Sequence, residues 1–141
     1  EAREVAKVYA ALVREIRIYN NPLKPPVALI SGGECTVTLP PGTTGRGGRC
    51  TEFLLSLAVE LEGMPDVYAV ACDTDGIDGS EDNAGAWLAP RSIKDAATAG
   101  VSARSALDQR DSYGFFHAAG SLIRTGPTLT NVNDYRVILI R

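Results

Sequence analysis

The sequence predicts an α/β layered domain, a mixed β-sheet flanked by helices. Three observations predict it. Apolar runs of strand length occur at 27–30 and 67–72, two stretches carry helical periodicity, and strand-like and helix-like segments interleave along the chain. The size suits one such domain: 141 residues and 14.9 kDa, 45% hydrophobic and 22% charged.

In the first segment Val5, Val8, Tyr9, Leu12, Val13 and Ile16 fall at i, i+3, i+4, i+7, i+8 and i+11. That spacing is one stripe of an amphipathic helix, expected to be its buried face. Asn20-Asn21-Pro22 ends it, and Pro25-Pro26 gives a stiff entry to the next element. Residues 1–24 are therefore expected as a helix and linker arriving from a preceding domain, and 25–141 as the domain proper. A helix packed on its own domain is the alternative. The chain begins without Met inside helical sequence, and it is expected to be a fragment.

After the run at 27–30, Ser31-Gly32-Gly33-Glu34 punctuates the chain. Cys35, Val37 and Leu39 then alternate with Thr36 and Thr38, which predicts a hairpin of two strands. Pro40-Pro41 closes it. A stretch with Gly42, Gly45, Gly47 and Gly48 leads into a helix over 49–62, buried through Leu54, Leu57, Ala58 and Leu61 and ended by Gly63. The run at 67–72 feeds an acidic loop, Asp73-Thr74-Asp75-Gly76-Ile77-Asp78-Gly79. The run at 84–88 precedes short helices, the first opened by a capping box of Ser92 and Asp95 and ended by Gly100. Segments 102–109 and 113–119 are further helices, and 135–140 is a terminal strand. Trp87, Phe115 and Phe116 read as core.

Composition excludes several functions. Fourteen basic against seventeen acidic residues give a net charge of −3, so no basic face for nucleic acid is expected. No apolar run approaches the ~20 residues that span a bilayer. Cys35, Cys50 and Cys72 are odd in number and far apart, as free thiols of a cytoplasmic protein would be. His117 is the single histidine, which argues against a Cys/His zinc site and against a Ser-His-Asp triad, and it reads as packed or locally satisfied.

Four segments could carry chemistry. Gly47, Gly48 and Arg49 stand where a helix N-terminus offers free N–H groups to an anion, though a plain flexible connector has the same composition. Neither a P-loop nor a dinucleotide G-x-G-x-x-G is present there, since Arg49 and Cys50 occupy the diagnostic positions. Asp73, Asp75 and Asp78 suit a hard cation or ligand hydroxyls, or equally a turn closed by its own side chains. The polar stretch 125–134 and the turn at 31–34 complete the set.

In order and wording these segments resemble a known family. Ser31-Gly32-Gly33-Glu34-Cys35-Thr36-Val37, Gly45-Arg46-Gly47-Gly48-Arg49 with Glu52, Thr74-Asp75-Gly76-Ile77-Asp78-Gly79, and Gly126-Pro127-Thr128 through Thr130-Asn131-Val132-Asn133-Asp134 are similar to the MOFRL domain. That is the C-terminal domain of class II glycerate 2-kinases, some of whose relatives carry the label hydroxypyruvate reductase. The resemblance implies ATP-dependent phosphoryl transfer to the 2-hydroxyl of D-glycerate, with Mg2+, in a cleft shared with an N-terminal domain of the same polypeptide.

Carried over residue by residue, the resemblance makes Arg49 and Asp75 the catalytic candidates. Ser31, Gly32, Gly33, Glu34, Gly47, Gly48, Glu52, Thr128, Thr130, Asn131 and Asp134 become candidates for substrate or phosphate contact, with Glu52 expected to orient Arg49. Asp75 and Asp78 are the metal candidates. The family's usual Asn-Gln between the arginine and the glutamate is replaced by Cys50-Thr51, its final-motif glycine by Leu129, and Cys72-Asp73 stands where small residues are common. The chain alone is expected to fold but not to turn over. A hydroxypyruvate reductase domain and a noncatalytic binding module are the alternative functions, and neither nucleic acid nor membrane is an expected partner.

Overall fold

The computed structural model describes residues 1–141. Helix α1 (Ala2–Tyr19) is followed by β1 (Val27–Gly33), α2 (Arg49–Leu61), β2 (Val67–Asp73) and β3 (Gly85–Leu88). Three short helices follow, α3 (Ser92–Thr98), α4 (Ala103–Asp108) and α5 (Ser112–Ala118), and then β4 (Leu122–Ile123) and β5 (Asp134–Ile140). The strands form one five-stranded sheet in the order β1-β5-β2-β3-β4. The layered α/β class is as expected, but every strand pair is antiparallel, so the sheet is not mixed.

Alternation along the strands sorts the two faces of the sheet. Val67, Ala69 and Ala71 of β2 and Ile138 and Ile140 of β5 are buried under the helices. The opposite face is open and carries Ile30, Val137, Val70 and Trp87 in one cross-strand row. Trp87, expected in the core, therefore lies on this outer face at 37% exposure, whereas Phe115 and Phe116 are fully buried. No helix is long and apolar enough to cross a membrane.

The expected hairpin does not form. Gly32 and Gly33 continue β1, which pairs over its whole length with β5 instead of with 35–39. Residues 34–39 cross the start of α1: the Thr36 carbonyl accepts from the Ala2 N–H at 2.9 Å, and the Glu1 carboxylate accepts from Thr36 and Thr38. Those bonds replace a ladder.

Helix α1 also turns a different face inward. Ala2, Ala6, Ala10, Val13 and Ile16 are buried, whereas Val8 is 69% exposed and Val5, Tyr9 and Leu12 are half-buried. Alanines let the axes of α1 and α2 approach closely, which larger side chains at those positions would prevent. These residues join the same core as α2 and the sheet, so packing runs across the boundary expected at residue 24. Asn20 ends α1 in a left-handed conformation. Ser92 opens α3 as its first helical residue, and its hydroxyl accepts from the Ala89 N–H instead of forming a capping box.

Glu52 ties the helices together. Its carboxylate is 2% exposed and accepts from Arg3 Nε at 2.8 Å and Arg110 Nη1 at 2.7 Å. It makes no bond to Arg49, so the expected orienting role is not seen; two other guanidinium groups neutralise it. Glu52→Ala is expected to lower unfolding free energy in urea by about 3 kcal/mol, because two partly buried cations lose their counter-charge.

Candidate functional site

The site lies where β1, β2 and β5 end beside the start of α2. Register sets its electrostatics. Asp73 is the last residue of β2 and Asp134 the first of β5, and the two are direct partners in the ladder. Both side chains face the helices and both are buried. Like charges directly opposite on neighbouring strands repel, and Arg49, at the first position of α2, resolves the repulsion. Its Nε donates to Asp134 Oδ1 at 2.6 Å and its Nη2 donates to Asp73 Oδ2.

Burial works against the charge on Arg49, but the hydrogen bond to Asp134 and the charges of Asp134 and Asp73 outweigh it and raise its pKa. The third nitrogen, Nη1, makes no hydrogen bond; Glu34 Oε1 stands 3.9 Å from it, on a side chain 61% exposed. The guanidinium is thus anchored on two nitrogens and open on the third.

Asp134 accepts from a second arginine. Arg136, two residues on and on the same face of β5, donates through Nη2 to Asp134 Oδ2, and also reaches Cys35 Sγ at 3.2 Å and the Gly32 carbonyl at 3.3 Å. Its side chain is 3% exposed. Neither this residue nor the pairing role of Asp73 was legible by motif. The available signal was the polar pair Asp134 and Arg136 continuing the inward phase of Ile138 and Ile140.

The N-terminus of α2 holds an anion, and that anion belongs to the chain. Asp78 accepts from the N–H groups of Cys50 and Thr51, each at 2.9 Å, and from the Thr51 hydroxyl at 2.8 Å. Burial pushes the Asp78 carboxyl above its ordinary range despite those bonds. Gly48 is a glycine because a Cβ there would stand 2.2 Å from Asp78 Oδ1, and at Gly47 one would meet the Ser112 hydroxyl at 2.1 Å. The glycine stretch thus serves close packing around an internal cap, where an external anion was expected. Asp78, expected to meet a metal, is wholly buried with its oxygens engaged. No three His, Cys, Asp or Glu side chains gather as a metal-holding group.

The acidic loop and the stretch 125–134 are laced together. The Thr74 N–H and hydroxyl donate to the Asn133 carbonyl at 3.2 and 2.8 Å, and the Thr128 N–H donates to the Asp75 carbonyl at 3.0 Å. Asp75 Oδ1 accepts from the Ile77 N–H at 2.9 Å, while Oδ2 has only Asn131 Nδ2 at 3.4 Å. Asp75, Thr130 and Asn131 line an open recess with Ile77, Pro127 and Leu129. Leu129 is 98% exposed at φ +62°, a left-handed conformation that glycine adopts without strain.

The structure therefore brings together Arg49, Glu34, Asp134 and the β1 end carrying Ser31, Gly32 and Gly33. Beside them it sets the recess of Asp75, Thr130 and Asn131, with Thr128 tying the two loops. Gly47, Gly48 and Asp78 support α2 from behind, and Glu52 points to Arg3 and Arg110. Cys50 is fully buried in the core, so the departure at that position reaches no open surface. Burial pushes its thiol up, and that of Cys72 to about 11, so neither is a thiolate at neutral pH. His117 is exposed and stacks on Tyr113 with ring centroids 6.0 Å apart, outside this cluster.

The fold and site define a two-layer lobe that presents an anchored arginine at the end of an antiparallel sheet. Residues 27–134 match the MOFRL family, and the chain belongs to it. A D-glycerate 2-kinase from Thermotoga maritima is 40% identical over 140 residues, which cover 99% of this chain and 33% of that protein. An Agrobacterium vitis protein named as a hydroxypyruvate reductase is 54% identical over 140 residues, 99% of this chain and 32% of that protein. The crystal structure of a glycerate kinase from Thermotoga maritima superposes with a TM-score of 0.93 at 40% identity, over 100% of this chain and 34% of that one. The chain thus spans about a third of the length of these relatives.

Burial sets the pH behaviour of Asp73. It lifts the Asp73 carboxyl above its ordinary 3.8, against the opposing Asp75 N–H bond and the Arg49 charge. Folded Asp73 therefore binds a proton more readily than unfolded Asp73. Its contribution to stability grows as pH falls from neutral through the folded pKa toward 3.8, and is lost as pH rises back through the folded pKa. Unfolding free energies across that window are expected to show the wild type gaining on Asp73→Asn as the solution is acidified.

Proposed function

We propose that this chain is one lobe of a glycerate 2-kinase, contributing a wall of an interdomain cleft in which ATP phosphorylates the 2-hydroxyl of D-glycerate. The observation that carries this reading is the half-anchored Arg49. Two carboxylates fix the plane of its guanidinium, and Nη1 remains to donate to an anionic oxygen, either of the transferring phosphoryl group or of the glycerate carboxylate. Phosphoryl transfer asks the protein chiefly for positioning and charge stabilisation. A donor already held in place needs no reorganisation as charge develops.

Glu34 faces the same nitrogen and would give way to the incoming anion. The recess of Asp75, Thr130 and Asn131 offers acceptors and donors to hydroxyls of the substrate or nucleotide. Of Asp75 and Asp78, Asp75 fits a metal better, since its Oδ2 is only weakly engaged. Mg2+ commonly takes one or two carboxylates together with phosphate oxygens, and when bound it would neutralise phosphate charge. The remaining lobe, from a longer polypeptide like those of the relatives, would supply the opposite wall. The relatives named as hydroxypyruvate reductases favour a second reading, hydride transfer to hydroxypyruvate. This chain offers no G-x-G-x-x-G for the nicotinamide cofactor.

The test uses the native-length polypeptide, assayed for Mg·ATP-dependent phosphorylation of D-glycerate in parallel with NAD(P)H oxidation by hydroxypyruvate. Phosphorylation without hydride transfer is expected, with none from the 141-residue chain alone. Arg49→Lys keeps a charge between the aspartates but loses the fork, and should lower kcat/KM about a hundredfold. Hydride transfer without phosphorylation, or an unimpaired Arg49→Lys, would refute the reading.

A further inference from the structure

The inward positions of β5 read Asp134, Arg136, Ile138 and Ile140. The last two belong to the core, and an aliphatic side chain at 136 would extend it. Instead the chain buries a guanidinium there, at 3% exposure, with its carbon Cζ 5.0 Å from the centre of the Phe53 ring. Its Nε is buried and has no partner. Buried ion pairs contribute little stability relative to apolar replacements. Stability alone therefore gives little reason for this arginine, and its contacts suggest another.

Arg136 binds Asp134 Oδ2 while Arg49 binds Asp134 Oδ1, so one carboxylate is divided between two guanidinium groups. Arg136 also holds the Gly32 carbonyl and Cys35 Sγ, on either side of Glu34, the residue facing Arg49 Nη1. It thus touches both the acceptor that aims Arg49 and the backbone that carries the group opposite. It does so without an open surface of its own.

We propose that Arg136 is a positioning residue for Arg49. By occupying Asp134 Oδ2 it leaves only Oδ1 for Arg49 Nε, which fixes the guanidinium rotation that presents Nη1 to the ligand. Without Arg136 the Asp134 carboxylate is free to rotate and take Arg49 through other nitrogens, withdrawing the open donor. This role rests on the function proposed above for Arg49.

The experiment is Arg136→Lys in the native-length polypeptide, with Arg136→Met/Asp134→Leu as a companion that removes both buried charges together. Lysine keeps the charge but cannot bind Asp134, Gly32 and Cys35 at once. Arg136→Lys is expected to lower kcat/KM for D-glycerate phosphorylation by roughly ten- to a hundredfold, chiefly through kcat. The Arg49 Nε–H resonance, which the bond to Asp134 is expected to protect from exchange in the wild type, should broaden or shift. The double variant, which also removes the acceptor of Arg49 Nε, should stay folded without regaining activity.

Unchanged kcat with an unchanged Arg49 resonance in Arg136→Lys would overturn the proposal, as would activity that returns in the folded double variant. If the wild type does not phosphorylate glycerate, yet the Arg49 resonance still responds to Arg136→Lys, the functional reading fails and the positioning stands.

Discussion

Two aspartates that should repel each other organise this end of the molecule. Asp73 and Asp134 meet in register on adjacent strands, buried and facing the same way, so β2 and β5 carry two like charges side by side that a cation between them neutralises. Arg49 is that cation, and it begins α2. The first turn of the helix, the ends of two central strands and the direction of one guanidinium therefore depend on one another. A rigid donor follows from this packing problem, because an arginine that holds two strands together cannot wander.

The internal cap on α2 serves the same end. The dipole and free N–H groups of a helix start are commonly available to a ligand. Here Asp78 fills them, and the glycines at 47 and 48 let it come close enough to do so. The helix start is thus locked from within, and the positive charge offered outward is confined to the Arg49 side chain. On the other side Glu52 draws Arg3 and Arg110 together, so successive turns of one helix are fixed by carboxylates and guanidinium groups from five different segments.

Much of this was legible in the sequence where the determining contacts are local. The periodicity of α2, the apolar run of β2 and the alternation of β5 each announce their element, and the wording of the four polar segments announces the family. What was not legible depends on partners far along the chain. The segment after Gly33 alternates like a strand, yet Glu1 and the start of α1 claim its hydrogen bonds. Helix α1 offers a Val/Leu stripe and an Ala stripe, and only the nearness of α2 decides that the alanines go inside. Asp78 reads as a metal candidate until Cys50 and Thr51, 28 and 27 residues away, prove to hold it. Arg136 belongs to no motif, and its place becomes evident only beside Asp134 and Arg49.

The central claim is that an incoming anion meets the side chain of Arg49 and not the N-terminus of α2. Titrating D-glycerate and inorganic phosphate into the isotope-labelled native-length polypeptide, while following the Arg49 side-chain resonances and the Cys50 and Thr51 amides, tests it most directly. The account expects the Arg49 Nη resonances to move with saturation while those two amides, bonded to Asp78, stay in place. Large shifts at Cys50 and Thr51 with Arg49 unperturbed would mean that the ligand displaces Asp78 and binds the helix end, and the account would be wrong.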